Sequence, residues 1–115
     1  MRRSDEAYAL DIAVAATAIS KYLYGVSKSQ FIHNSEKRDA VIRQLSIIGE
    51  AASRLSKELR AKHTAVPWKD IMGMRNIVIH QYWEVDFDVV WESAKKDVPA
   101  LVKELVDFAE KTEKK

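Results

Sequence analysis

Apolar residues along this chain recur at intervals of three and four, the period of an amphipathic helix, over four separate stretches. Ala7, Leu10 and Val14, with Ile12, Ala15, Ile19 and Leu23 alongside them, mark a first helix that Gly25 ends. Ser4 is placed to cap it, and Asp5 and Glu6 put negative charge where the helix dipole favours it. Val41, Leu45, Ile48, Ala52, Leu55 and Leu59 keep a near-heptad beat, too regular for a strand, and predict a long second helix. Ala40, Ile47 and Ala51 add a second apolar strip, so this helix is expected to touch something besides its own bundle. Gly49 costs about 1 kcal/mol relative to alanine inside a helix and would permit close approach of another backbone.

Between these two helices, residues 27–35 have mixed polarity around Phe31 and Ile32 and predict a short helical turn or a packed loop. Residues 62–66 form a connector. Pro67 suits the first position of a third helix, where its missing amide donor is not needed, and that helix is expected to run to about His80 or Tyr82. Asp86 can cap a fourth helix, with Val85 placed to staple against Val90. Its apolar stripe continues through Val89, Val90, Ala94, Val98, Leu101, Val102, Leu105 and Phe108. Pro99 should kink or split it, because proline removes one donor and clashes with the carbonyl four residues back. Nothing alternates as a strand does and nothing repeats. The reading is an all-α bundle of four main helices, up and down, in a single domain over 1–115, with a charged tail from Glu110.

Composition changes this picture little. The 115 residues suffice for one core, and 47% apolar with 31% charged residues is globular rather than disordered. No cysteine is present, which excludes a disulfide scaffold and a thiolate zinc site and agrees with a reducing compartment. A cytoplasmic location is expected. Met1-Arg2-Arg3 before an apolar stretch imitates a signal peptide, but Ser4, Asp5, Glu6 and Asp11 interrupt it, and no run reaches the roughly 18 apolar residues of a membrane span. Nineteen Lys and Arg against seventeen Asp and Glu leave a net charge of +2, too small to announce a nucleic-acid partner. There is no H-E-x-x-H, no carboxylate and histidine cluster at ligand spacing and no phosphate-binding glycine loop, so neither metal nor cofactor is expected.

The segment in which polar residues break the pattern is Gly73-Met74-Arg75-Asn76-Ile77-Val78-Ile79-His80-Gln81-Tyr82-Trp83. On a continuous helix, Arg75 and Tyr82 fall inside the apolar arc of Ile71, Met74 and Val78. A guanidinium there must be paired or face a polar seam, which points to an interface, a cleft, or a buried salt bridge to Glu50 or another acid of the second helix. Asn76 and His80, four apart, share another side, where Gly73 leaves approach unobstructed. Arg75 and His80 are five apart, about 140° round the helix. A site using both must sit at a helix end or be completed by a second protomer.

The string Arg75-Asn76-Ile77-Val78-Ile79-His80-Gln81-Tyr82 resembles the R-x-x-x-x-H-x-Y signature of HepT toxins, a branch of the HEPN superfamily of small helical ribonucleases. The segments Asp39 to Ala52 and Val66 to Gly73 are similar to the same family, and the likeness extends from about Asp11 to about Leu105. It implies a HEPN-type bundle and a metal-independent endoribonuclease whose composite Arg75 and His80 site lies at a homodimer interface. Cleavage would leave a 2′,3′-cyclic phosphate on a tRNA or mRNA substrate. It also implies a cognate MNT-type nucleotidyltransferase antitoxin that silences the nuclease by transferring AMP to Tyr82.

The chemistry suits those residues. Imidazole titrates near neutrality, so one His80 can take the 2′-hydroxyl proton while a second returns one to the departing 5′-oxygen. Arg75 offers a fixed cation to the phosphate as charge builds on it, with Glu50 available to hold it, and Asn76 can orient imidazole or phosphate. Nucleotide and phosphate added at Tyr82 would obstruct RNA and repel its backbone. The blander expectations are that His80 is a helix cap and that Tyr82, Trp68, Trp83 and Trp91 are core or interface aromatics. His33 and His63 are expected on the surface. A different class of function also fits: a catalytically idle HEPN module that serves as partner and AMP acceptor of a nucleotidyltransferase.

Overall fold

The computed structural model describes residues 3–76 and 85–113. Among them every regular element is helical. In chain order these are α1 (Asp5–Leu23), α2 (Lys28–Ile32), α3 (Ser35–Arg54), α4 (Lys57–Lys62), α5 (Trp68–Gly73) with a 3-10 turn at Met74–Asn76, α6 (Phe87–Glu92), a π segment (Ser93–Asp97) and α7 (Val98–Glu113). The helix α1 packs along α3 and also contacts α7, while α5 and its 3-10 turn rest on α3. The core follows the periodic positions. Ile12, Ile19, Leu23, Val41, Leu45, Ile48, Ala52, Val90, Leu101 and Leu105 are all buried. Burial of such side chains is the main stabilising term, about 1.5–3 kcal/mol for each large one.

The helix starts follow from local chemistry. The Ser4 hydroxyl accepts from the Ala7 amide at 3.1 Å, and Asp86 accepts from Asp88 at 2.9 Å. The segment 27–35 contains α2, opened by a reciprocal capping box between Ser27 and Gln30. Phe31 on α2 is fully buried and lies 5.5 Å, ring centre to ring centre, from Trp91.

Three boundaries differ from the periodic reading. The second helix does not continue to Leu59: it ends at Arg54, where Leu55 turns extended (ψ 149°), and Ser56 caps a new helix, α4. A partner 51 residues away holds this break. The Asp5 carboxylate accepts from the Ser56 amide at 2.9 Å and from its hydroxyl at 2.7 Å. Because Leu55 and Leu59 are both buried on either side of it, the apolar beat passes through unbroken.

The other two concern prolines. Pro67 is the cap before α5 rather than its first residue. Pro99 does not mark the split itself. The irregularity precedes it at Ser93–Asp97, where the Val98 amide reaches back five residues to the Ser93 carbonyl. The proline thus follows a widened turn within one continuous helical run, and that wider turn gives room for a residue that lacks the amide donor and crowds the preceding turn.

Candidate active site

Arg75 is placed by a close backbone contact. α5 is anchored at its start by the Trp68 indole, which donates to the His63 carbonyl at 2.9 Å, and in its middle by the fully buried Ile71. After Gly73 the helix tightens into the 3-10 turn Met74–Asn76, with Met74 buried beneath it. Opposite stands Gly49 of α3. A Cβ built on Gly49 would lie 2.7 Å from the Arg75 amide nitrogen and 2.8 Å from the Ile71 carbonyl oxygen. Only glycine lets the two backbones approach this closely. One turn earlier on α3, the Ser46 hydroxyl donates to the Arg75 carbonyl at 3.0 Å. The backbone of Arg75 is therefore clamped between Gly49 and Ser46, and its side chain stands exposed.

This corrects two expectations. Arg75 is not desolvated within an apolar arc: it stands exposed in the 3-10 turn that follows α5. Nor does Glu50 pair with it: the Glu50 carboxylate accepts from the Arg54 guanidinium at 3.1 Å, an exposed contact within α3. Asn76 is exposed beside Arg75, and Gly73 is open, with nothing within 4 Å of where its Cβ would stand. His80, Tyr82 and Trp83 lie outside the described residues.

Ser46 was not singled out by sequence reasoning. Its signal is positional: a small hydroxyl residue three before a helix-interior glycine, one turn apart on the same side of α3. Beyond Ser46, α3 borders an open groove of about 1080 Å³, walled by Arg3, Tyr8 and Asp11 on one side and by α3 residues including Arg43, Ile47 and Glu50 on the other.

A profile of the family described as Ribonuclease HepT-like matches residues 12–108. The chain belongs to the HepT-like ribonuclease family. Among the relatives named "Putative RNase", one from Methanocaldococcus jannaschii is 38% identical over 90% of this chain and 95% of its own length, and one from Caldanaerobacter subterraneus subsp. tengcongensis is 41% identical over 76% and 78%. A "Probable ribonuclease HepT" of Thermococcus cleftensis is 36% identical over 88% of this chain and 92% of its own. No solved structure matches. The HepT-like chain is thus a ribonuclease of the HEPN type, with the all-α fold expected of it.

The remaining histidines separate. His33 is exposed and bonds only to its own helix, Nδ1 lying 2.8 Å from the Ser29 carbonyl. His63 is not a surface residue: its side chain is 10% exposed and its Nδ1 lies 2.9 Å from Glu104 of α7. It ties the connector before α5 to the last helix. Trp68 and Trp91 are half-buried against the core, as aromatic packing predicts. Among the described residues no helix is long and apolar enough to cross a membrane.

Proposed function

We propose that this HepT-like protein is a metal-independent endoribonuclease, the toxin of a HepT/MNT toxin-antitoxin pair, acting as a homodimer. The observation that carries the reading is the exposed Arg75 on a backbone clamped by Gly49 and Ser46. An arginine with a solvent-facing side chain on a fixed backbone is suited to meet a phosphate, and Asn76 stands next to it. In the proposed reaction one His80 takes the proton of the ribose 2′-hydroxyl, and the oxygen attacks the adjacent phosphorus. Arg75 balances the charge that develops on the phosphoryl oxygens. A second His80, from the other protomer, protonates the departing 5′-oxygen, leaving a 2′,3′-cyclic phosphate. Transfer of AMP to Tyr82 by an MNT-type nucleotidyltransferase would place a bulky anion two residues from His80 and silence cleavage.

The test is incubation of the unmodified protein with total RNA in EDTA beside Arg75→Ala and His80→Ala. Cleavage by the wild type alone, with ends that are cyclic phosphates, is the expected result. A folded, unmodified dimer that cuts nothing would overturn it in favour of an idle acceptor of AMP.

A further inference from the structure

Positive charge in this chain concentrates where α3 breaks and α4 begins. Residues 54–62 carry Arg54, Lys57, Arg60 and Lys62 against Glu58. That surplus of three exceeds the +2 of the whole chain, so the remainder is negative on balance. The extended Leu55 and the contact of Asp5 with Ser56 fold this run into a corner. It opens as a groove of about 710 Å³ walled by Ser53, Arg54, Ser56, Lys57, Glu58 and Arg60. The larger groove between α1 and α3 differs. It sets Arg3, Arg43 and Arg54 against Asp11, Asp39 and Glu50 around an Ile47 that is 38% exposed, and such a balance offers no net field to a polyanion.

Arg54 holds Glu50, but among the described residues Lys57 and Arg60 have no acidic partner. Lys57 is exposed. Arg60 is half-buried; its Nη1 donates to the Met72 thioether at 3.0 Å and its Nε has no partner. Sulfur is a weak acceptor, so most of this guanidinium's hydrogen-bonding capacity is unspent. The groove does not contain Arg75, yet two links lead from one to the other. Met72 of α5 precedes Arg75 by three residues, and Ser53 lies one turn of α3, about 6 Å, beyond the Gly49 that meets the Arg75 amide.

We infer that this corner is an RNA subsite apart from the Arg75 site, in which Lys57 and Arg60 hold a backbone phosphate of the substrate strand to one side of the bond that is cut. A single strand carries charge at every nucleotide, and a protein of small net charge holds it only where cations are clustered. The inference rests on the ribonuclease reading above and adds where the strand is held.

The test is binding of a labelled 2′-O-methyl oligoribonucleotide, whose blocked 2′-oxygen cannot attack, to the full chain in EDTA, followed by fluorescence anisotropy from about 50 to 200 mM salt. Lys57→Gln should flatten the slope of log affinity against log salt by about 0.7, the share of one phosphate contact on a single strand, and Lys57→Arg should restore it. Arg60→Gln should flatten it likewise and, with a cleavable RNA, raise KM more than it lowers kcat; circular dichroism confirms folding. Lys21→Gln changes the net charge equally from the opposite end of α1, where Lys21 is exposed, and should leave the slope as it was. Groove variants that keep the wild-type slope, or change it no more than Lys21→Gln does, would overturn the subsite, leave the ribonuclease reading standing and make an acidic protein surface the better occupant. A wild-type chain that binds no oligoribonucleotide at any salt would overturn both.

Discussion

Gly49→Ala is the substitution in which stability and placement of Arg75 separate most clearly. The added methyl would lie 2.7 Å from the Arg75 amide nitrogen, 2.8 Å from the Ile71 carbonyl oxygen and 3.3 Å from the Arg75 Cα. All three are backbone atoms, so no side chain can rotate away, and α5 with its 3-10 turn must move off α3. Two opposing effects set the change in stability. Alanine gains about 1 kcal/mol over glycine in a helix interior, and overpacking a tight contact costs about 1–3 kcal/mol. The net loss should therefore lie between about zero and 2 kcal/mol, which leaves the protein folded. Catalysis should suffer more, because displacing a reacting group by about 1 Å can cost on the order of a hundredfold. Denaturant unfolding followed by circular dichroism, beside RNA cleavage in EDTA, measures the two effects separately. Gly73→Ala is the control for stability: it is also helical and its Cβ meets nothing within 4 Å, so it should show the helical gain of up to about 1 kcal/mol with no packing penalty. A Gly49→Ala protein that is about 1 kcal/mol more stable than wild type and cleaves at the wild-type rate would refute the close-contact argument.

Ser46→Ala removes the hydroxyl that donates to the Arg75 carbonyl; about 1 kcal/mol of stability should be lost with a fall in cleavage rate, read by the same two assays. Asp5→Ala withdraws the carboxylate that holds the Ser56 amide and hydroxyl, and should lower unfolding free energy by about 1–3 kcal/mol as the break between α3 and α4 loosens. Asp97 has its carboxyl pushed above the ordinary value of 3.8 by burial and then by the nearby Asp70. The folded state therefore holds this proton more tightly than the unfolded state does, and stability tied to it falls as pH rises from about that ordinary value through the raised one. Asp97→Asn should accordingly be more stable than wild type at neutral pH, with the advantage vanishing in acid; an equal difference at both pH values in thermal unfolding would count against it.

How much of this could be read from the chain depends on how local each cause is. The core helices were legible because burial repeats with the helical period, and Ser4 and Asp86 announced their caps within a few residues of the donors they satisfy. The break at Ser56 was not, since its decisive partner, Asp5, is 51 residues away and the apolar beat runs on through Leu55 and Leu59. His63 was misplaced on the surface for the same reason: its contact, Glu104, is 41 residues distant. Arg75 shows the limit most sharply. The helical period sets it on an apolar arc, yet α5 gives way to a 3-10 turn at Met74 and the arginine is exposed there, since periodicity alone does not say which neighbours cover an arc. Gly49 carried the better signal. A glycine costs stability inside a helix unless a neighbouring backbone needs the space, and here the neighbour is the amide of the very arginine assigned to the phosphate. The strip that left α3 with Ile47 facing outward is the same kind of evidence, because an apolar residue that a helix does not bury for itself calls for a partner to bury it.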